Sequence, residues 1–282
     1  MRSAASRKSK NFDLEGRLAA ASSNYEADPS AWAGKWRCWH PADAEGGRTF
    51  DEVRVDLGCG KGAFAVEMAR RNPNVLFVGL DVDGVCALHG AENAIAAGLD
   101  NLVFAYEDYD LDVAKVFGEG EISLIYMNFP TPFPRKKMAP RRITYLDRLM
   151  AYRPLLAEGG TIRLKTDSFP FRDFSVIQFE LAGYDILWQA DDMRAAFPDE
   201  PDSEYERKLT AKGATVMGLE AKPGPAPDRV EQTAELSLFQ YLPDDLESMD
   251  YIPHGMDGAV NNWVNRDKNA ARKERARRRN GR

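Results

Sequence analysis

Val55-Asp56-Leu57-Gly58-Cys59-Gly60-Lys61-Gly62 (residues 55–62) is the stretch on which the reading of the fold turns. An apolar run, VRVDL (53–57), ends on three alternating glycines, and FAVEMARR (64–71) follows with Phe64, Met68 and Ala69 at helical spacing. Strand, glycine turn and helix in that order open a nucleotide-type α/β unit. The glycines permit the tight turn and let a ligand approach the backbone closely.

Outward from this turn the same alternation continues. VLFVGLD (75–81), NLVFAYED (101–108), ISLIYMNF (122–129), TIRLKTD (161–167), YDILWQA (184–190) and ATVMGLEA (214–221) read as six further strands. Residues 84–98, 141–160 and 171–183 read as the helices between them, the second ending on Gly159-Gly160. The expected fold class is α/β: a doubly wound, mostly parallel, seven-stranded Rossmann-like sheet with helices on both faces. Four segments follow from composition: an N-terminal arm (1–50), one catalytic-type domain (51–222), an acidic extension (223–265) opening at KPGPAPD (222–228), and a basic tail (266–282). The extension either packs on the domain or forms a small appendage.

The whole-chain numbers set limits. With 282 residues and 44% apolar content the chain can bury a substantial core. Its cysteines, Cys38, Cys59 and Cys86, and its histidines, His40, His89 and His254, are scattered, which argues against a disulfide framework and against a metal site. The first residues, MRSAASRKSKNF, are basic and polar with no apolar run behind them, and no stretch approaches the roughly 20 apolar residues of a spanning helix. A cytoplasmic protein with no membrane partner is expected, as a monomer or homodimer. The net charge of −6 conceals an asymmetry: residues 266–282 carry nine Lys/Arg and two Asp/Glu, so the tail is at +7 and the rest of the chain at −13. Such a tail suits a polyanion, or is simply a solvated terminus.

Three strand ends carry acids. Asp56 lies two residues before Gly58, Asp81 ends the second strand, and Asp108 ends the third. Carboxylates along one rim of the sheet suit a nucleoside: Asp81 can accept from both ribose hydroxyls and Asp108 from an adenine amino group. The G-x-G-x-G spacing is not the G-x-G-x-x-G of dinucleotide sites and lacks the G-K-[ST] ending of a P-loop. It is similar to the turn of S-adenosylmethionine-dependent methyltransferases. Cys59 in that turn reads as a small packing side chain rather than a nucleophile. Lys165 in the fifth strand reads either as a catalytic group or, equally, as an ion-pair or phosphate contact.

After the fourth strand comes Asn128-Phe129-Pro130-Thr131-Pro132-Phe133-Pro134-Arg135-Lys136-Lys137, then Arg141-Arg142. Three prolines stiffen the loop, and aromatic rings beside clustered cations suit a base and a phosphate backbone. At this point residues 50–221 resemble the bacterial tRNA (guanine-N7)-methyltransferases. The resemblance rests on DLGCGKG (56–62), RNPNVLFVGLDVD (71–83), IYMNFPTPFPRKK (125–137) with RR (141–142), LKTD (164–167) and SEYERKLTAKG (203–213). It implies S-adenosylmethionine as cofactor, held by Asp56, Gly58, Gly60, Asp81, Asp108, Asn128 and Thr131. It implies tRNA as partner, bound by Arg135, Asp167, Ser203, Glu204, Tyr205 and Glu206, with Thr131 and Asp167 in the catalytic positions. The chain departs from the family's P-D-P-W-P-K by carrying Thr131, Phe133 and Arg135, and it has Met138 where a histidine is usual. Thr131 and Met138 leave a second reading standing, a non-catalytic tRNA- and cofactor-binding homologue, and the acidic body of the chain leaves a third, a methyltransferase for another substrate.

Overall fold

The computed structural model describes residues 12–41, 46–106, 113–243, 251–253, 255, 256, 258 and 260. Its centre is a seven-stranded sheet: β1 (Glu52–Leu57), β2 (Val75–Asp81), β3 (Leu102–Tyr106), β4 (Ile122–Asn128), β5 (Leu156–Thr166), β6 (Tyr184–Ala190) and β7 (Met217–Pro223). The order is β3-β2-β1-β4-β5-β7-β6. All neighbours run parallel except β7, which is antiparallel to both β5 and β6. The order reverses between β1 and β4, and in open α/β sheets that reversal opens the ligand crevice beyond the strands' carboxyl ends.

The helices between strands are α2 (Ala63–Arg71), α3 (Gly84–Ala96), a single turn α4 (Val113–Val116), α5 (Leu146–Tyr152), α6 (Phe169–Leu181), α7 (Met193–Ala196) and α8 (Glu204–Thr210). They cover both faces, so β2 is apolar and buried over its first six residues, whereas β1 and β5 keep charged residues such as Asp56 and Lys165. Phe104 sits where β2, α2 and α3 converge: a Cβ on Gly62, Gly79 or Gly90 would come within 2.6 Å of its ring. Those glycines let the ring seat between strand and helices.

The described residues of the N-terminal arm, 12–41 and 46–50, pack on this body. Its helix α1 (Leu14–Ala20) ties to α3 through Arg17 and Glu92, 2.6 Å apart. Trp36 is wholly buried, its indole donating to the Val116 carbonyl at 2.7 Å. Residues 234–242 also pack inward, with Leu238 wholly buried against the main core. Of the two alternatives for the extension, packing on the domain holds for these residues. Asp108 and the tail 266–282 lie outside the described residues. Among the described residues no helix is long and apolar enough to cross a membrane.

One expected element is corrected. Residues 141–160 are not one helix: α5 ends at Tyr152, a tight turn spans Arg153–Leu155, and β5 begins at Leu156. Pro154 is the cause, since its ring collides with the preceding helical turn and it lacks an amide hydrogen. Gly159 and Gly160 then serve a β-bulge, not a helix stop. The β4–β5 register jumps between Ile122 and Leu124, Gly159 takes φ +75°, and a Cβ on Gly160 would lie 2.8 Å from the Ile122 carbonyl.

Candidate functional site

The crevice at the β1/β4 reversal is walled on one side by the glycine turn. Gly58 and Gly60 have φ of +83° and +54°, and nothing stands within 4 Å of where a Cβ on either would be. The turn therefore needs glycine for its backbone and leaves open space above it. Asp81 braces it: one carboxylate oxygen accepts from the Gly60 amide at 2.8 Å and the other from the Asp83 amide at 2.9 Å. Burial raises the Asp81 carboxyl above its ordinary range.

Asp56, 2% exposed, spans the reversal by accepting from the Asn128 amide at 3.3 Å. Burial pushes its carboxyl up to about 7, against the bond from Asn128, which lowers it, and with Asp81 nearby adding to the rise. The folded protein thus prefers Asp56 neutral, and the unfolded chain does not. That preference is fully present below the ordinary value of 3.8 and is lost as pH rises through about 7. Asn at this position keeps the acceptor for Asn128 without the charge. Asp56→Asn is therefore expected to stabilise the ligand-free protein at pH 8 by about 2–4 kcal/mol and to leave pH 4 nearly unchanged. Urea unfolding at the two pH values measures this, and equal effects at both would refute the assignment. Cys59 is partly buried in the turn with its thiol pushed well above the ordinary range by burial, so it packs rather than reacts.

The opposite wall is the loop after β4. Phe129 and Phe133 adopt φ of +50° and +45°, the two non-glycine residues in the left-handed region among the described residues. Such strain costs roughly 1–3 kcal/mol each and persists where surroundings impose it. The Phe129 amide donates to the Lys165 carbonyl at 2.8 Å. Arg142 donates to the carbonyls of Pro132 at 3.0 Å and Phe133 at 2.8 Å. The expected cation cluster therefore divides: Arg135, Lys136, Lys137 and Arg141 are exposed, whereas Arg142 is buried and holds the loop from beneath. Arg141 lies over the Phe133 ring at 4.6 Å. Thr131 is exposed at the crest of the loop.

The floor of this side is β5 and α8. Asp167, 6% exposed, follows β5 and accepts from the Tyr251 hydroxyl at 2.6 Å. Ser203 caps α8, its hydroxyl accepting from the Glu206 amide at 3.0 Å, so its structural role is clear. Glu206 turns inward to Lys165 at 2.8 Å, with Glu200 3.5 Å from the same ammonium. Lys165 thus makes the ion pair, and Glu206 is engaged by it. Tyr205, 37% exposed, meets Phe129 edge-to-face at 5.6 Å, and burial and Asp167 raise its phenol above the usual range. Glu204 opens α8, and its side chain lies outside the described residues. No cluster of three or more His, Cys, Asp or Glu able to hold a metal occurs among the described residues.

A glycine turn braced by an acid, at the reversal of an α/β sheet, is thus set beside an aromatic corner. A family model described as a putative methyltransferase matches residues 51–219. The chain belongs to this methyltransferase family. A tRNA (guanine-N(7)-)-methyltransferase of Geobacillus kaustophilus (strain HTA426) is 34% identical over 195 residues, 69% of this chain and 86% of that protein. Its counterpart from Streptococcus sanguinis (strain SK36) is 33% identical over 190 residues, 64% and 88% of the two chains. Among solved structures, the 16S rRNA methyltransferase KamB aligns with a TM-score of 0.48 and 17% identity, covering 62% of this chain and 89% of that one.

In this methyltransferase Asp56, Gly58, Gly60, Asp81 and Asn128 lie about the β1/β4 reversal, and Tyr205 lies near Asp167 beyond β5. Ser203 caps α8, Glu206 pairs with Lys165, and Thr131 and Arg135 are exposed on the loop after β4. Two residues escaped the sequence reading as parts of the site. Arg142 was grouped with its exposed neighbours because a charge string does not tell which member points inward. Tyr251 lies in a stretch with no period or motif to mark it.

Proposed function

We propose that this chain transfers the methyl group of S-adenosylmethionine to N7 of a guanine in tRNA, in the cytoplasm. What carries the reading is Asp167 beside the Phe129–Tyr205 pair at the strand ends next to the glycine turn, on a chain 34% identical to a tRNA (guanine-N(7)-)-methyltransferase. The donor set suits the cofactor: open space over Gly58 and Gly60, a braced carboxylate at Asp81, and Asp56 with Asn128 at the reversal. Asp81 would hold the ribose hydroxyls, since a carboxylate that accepts one amide on each oxygen still has lone pairs to offer. Asp108 would serve the adenine, and Asn128 with Thr131 the methionine side. Bound there, the cofactor supplies an electrophilic methyl group on a positively charged sulfur.

The protein's own task is positioning. Guanine N7 has an exposed lone pair and no proton to lose, so the attack requires no general base. Holding such a nucleophile in line accounts for roughly 7–11 kcal/mol of barrier. Asp167 accepts from the guanine N1–H and amino group, which adenine cannot match. Phe129 and Tyr205 offer ring faces to the base, and exposed Arg135, Lys136, Lys137 and Arg141 meet phosphates. Carboxylates near the base also favour the positive charge that N7 methylation creates.

Unmodified tRNA incubated with methyl-labelled S-adenosylmethionine is expected to yield labelled 7-methylguanine. A wild-type protein that binds tRNA and cofactor yet transfers nothing favours the non-catalytic reading motivated by Thr131. An acid at 131 adds a negative charge near the developing cation, so Thr131→Asp is expected to raise kcat about tenfold, equivalent to about 1.4 kcal/mol. An unchanged or lower kcat with normal cofactor affinity removes residue 131 from the catalytic set.

A further inference from the structure

The family match ends at residue 219, yet the chain beyond it returns to the crevice. Besides packing on α6 through Gln232 and Tyr241, it reaches two loops, 130–134 after β4 and 166–168 after β5. The Leu236 carbonyl accepts from Arg142 at 2.8 Å, the same guanidinium that holds Pro132 and Phe133. The Leu238 amide donates to the Pro134 carbonyl at 3.0 Å. A Cβ on Gly255 would touch Pro132 at 3.4 Å, and Met256, wholly buried, accepts from the Ser168 hydroxyl at 3.5 Å. Between these anchors Tyr251 donates its hydroxyl to Asp167 Oδ2 at 2.6 Å.

We propose that Tyr251 is a positioning residue of the substrate site, holding the Asp167 carboxylate in the orientation that receives the base edge. The extension thereby completes a site that the matched domain leaves unfinished. This rests on the guanine-methylating reading above. A carboxylate at a strand end has a freely turning terminal torsion, and a short bond from a phenol anchored on both sides restricts it.

Tyr251→Phe in the full-length chain removes one oxygen and keeps the ring. With tRNA and labelled cofactor, kcat is expected to fall about tenfold or more, with cofactor Kd within about twofold and the melting temperature little changed. Asp167→Asn is expected to be worse, and Tyr251→Phe on top of Asp167→Asn to add little. A gain in kcat/KM on Tyr251→Phe would make the tyrosine a plug and overturn the proposal. So would a lower melting temperature with normal kcat, the signature of packing alone. A readout without turnover separates this from the underlying reading: the ring carbon signals of Tyr251, followed by NMR against pH, should titrate higher in the wild type than in Asp167→Asn. Equal titration overturns the positioning role whatever the substrate. Coupled titration with no methylation of any tRNA overturns the guanine reading, and the positioning role falls with it.

Discussion

Lys165→Met should be among the most destabilising single changes in this protein, lowering the unfolding free energy by about 3–5 kcal/mol. Lys165 is 2% exposed in β5 and lies 2.8 Å from Glu206 and 3.5 Å from Glu200. Glu200 keeps a second cation, Arg163, at 2.9 Å. Glu206, buried on α8, would be left as an uncompensated charge. The cost arises there rather than from the lost pair itself, because a buried ion pair gains little over well-packed apolar groups. Adding Glu206→Gln should therefore restore more than half of the loss. Urea unfolding of the two variants decides it, and a double variant no more stable than Lys165→Met would show that packing, not charge, dominates. Function should follow, since α8 carries Tyr205 and the Lys165 carbonyl holds Phe129.

Arg142→Met should damage catalysis more than any change in the exposed cation cluster. The guanidinium is wholly buried, bonds to three carbonyls, and lies 4.3 Å over the Phe174 ring. Burial lowers its pKa to about 10, which still leaves it charged at neutral pH. Its Nη1 has no hydrogen-bond partner among the described residues. Removing it leaves the carbonyls of Pro132, Phe133 and Leu236 without that donor, at about 2–4 kcal/mol in stability. It also releases a loop strained at Phe129 and Phe133. A shift of about 1 Å in a positioning element costs on the order of 100-fold in rate, so kcat/KM for tRNA should fall about that far. Arg141→Met, on the exposed side of the same loop, should weaken RNA binding a few-fold and leave the melting temperature alone. Similar kcat/KM for the two variants would refute the division of the cluster into an inner clamp and an outer phosphate surface.

How much of this was legible beforehand follows from periodicity. Buried parallel strands such as β2 and β4 read as near-continuous apolar runs, β1 is marked by the glycine turn that follows it, and that turn also located the crevice. The β5 start was hidden because Pro154 and the glycine pair look like helix punctuation, whereas here they shape a bulge decided by pairing with Ile122. The inward turn of Arg142 and Glu206 was hidden for another reason. Sequence reports charge, but burial depends on what the neighbouring elements leave uncovered. Asp81 was legible because a carboxylate at a strand end has a local cause, while the partner of Asp167 comes from 84 residues away.

The strand order imposes a timetable on synthesis. The edge strand β6 is translated before β7 but touches the sheet only through it. A nascent chain emerging from the ribosome must hold β6 and its neighbouring helices in waiting until residue 223 is out, with the open flank of β5 exposed meanwhile. The late, non-local closure of that gap makes the last third of translation the interval in which this protein most needs a chaperone's protection.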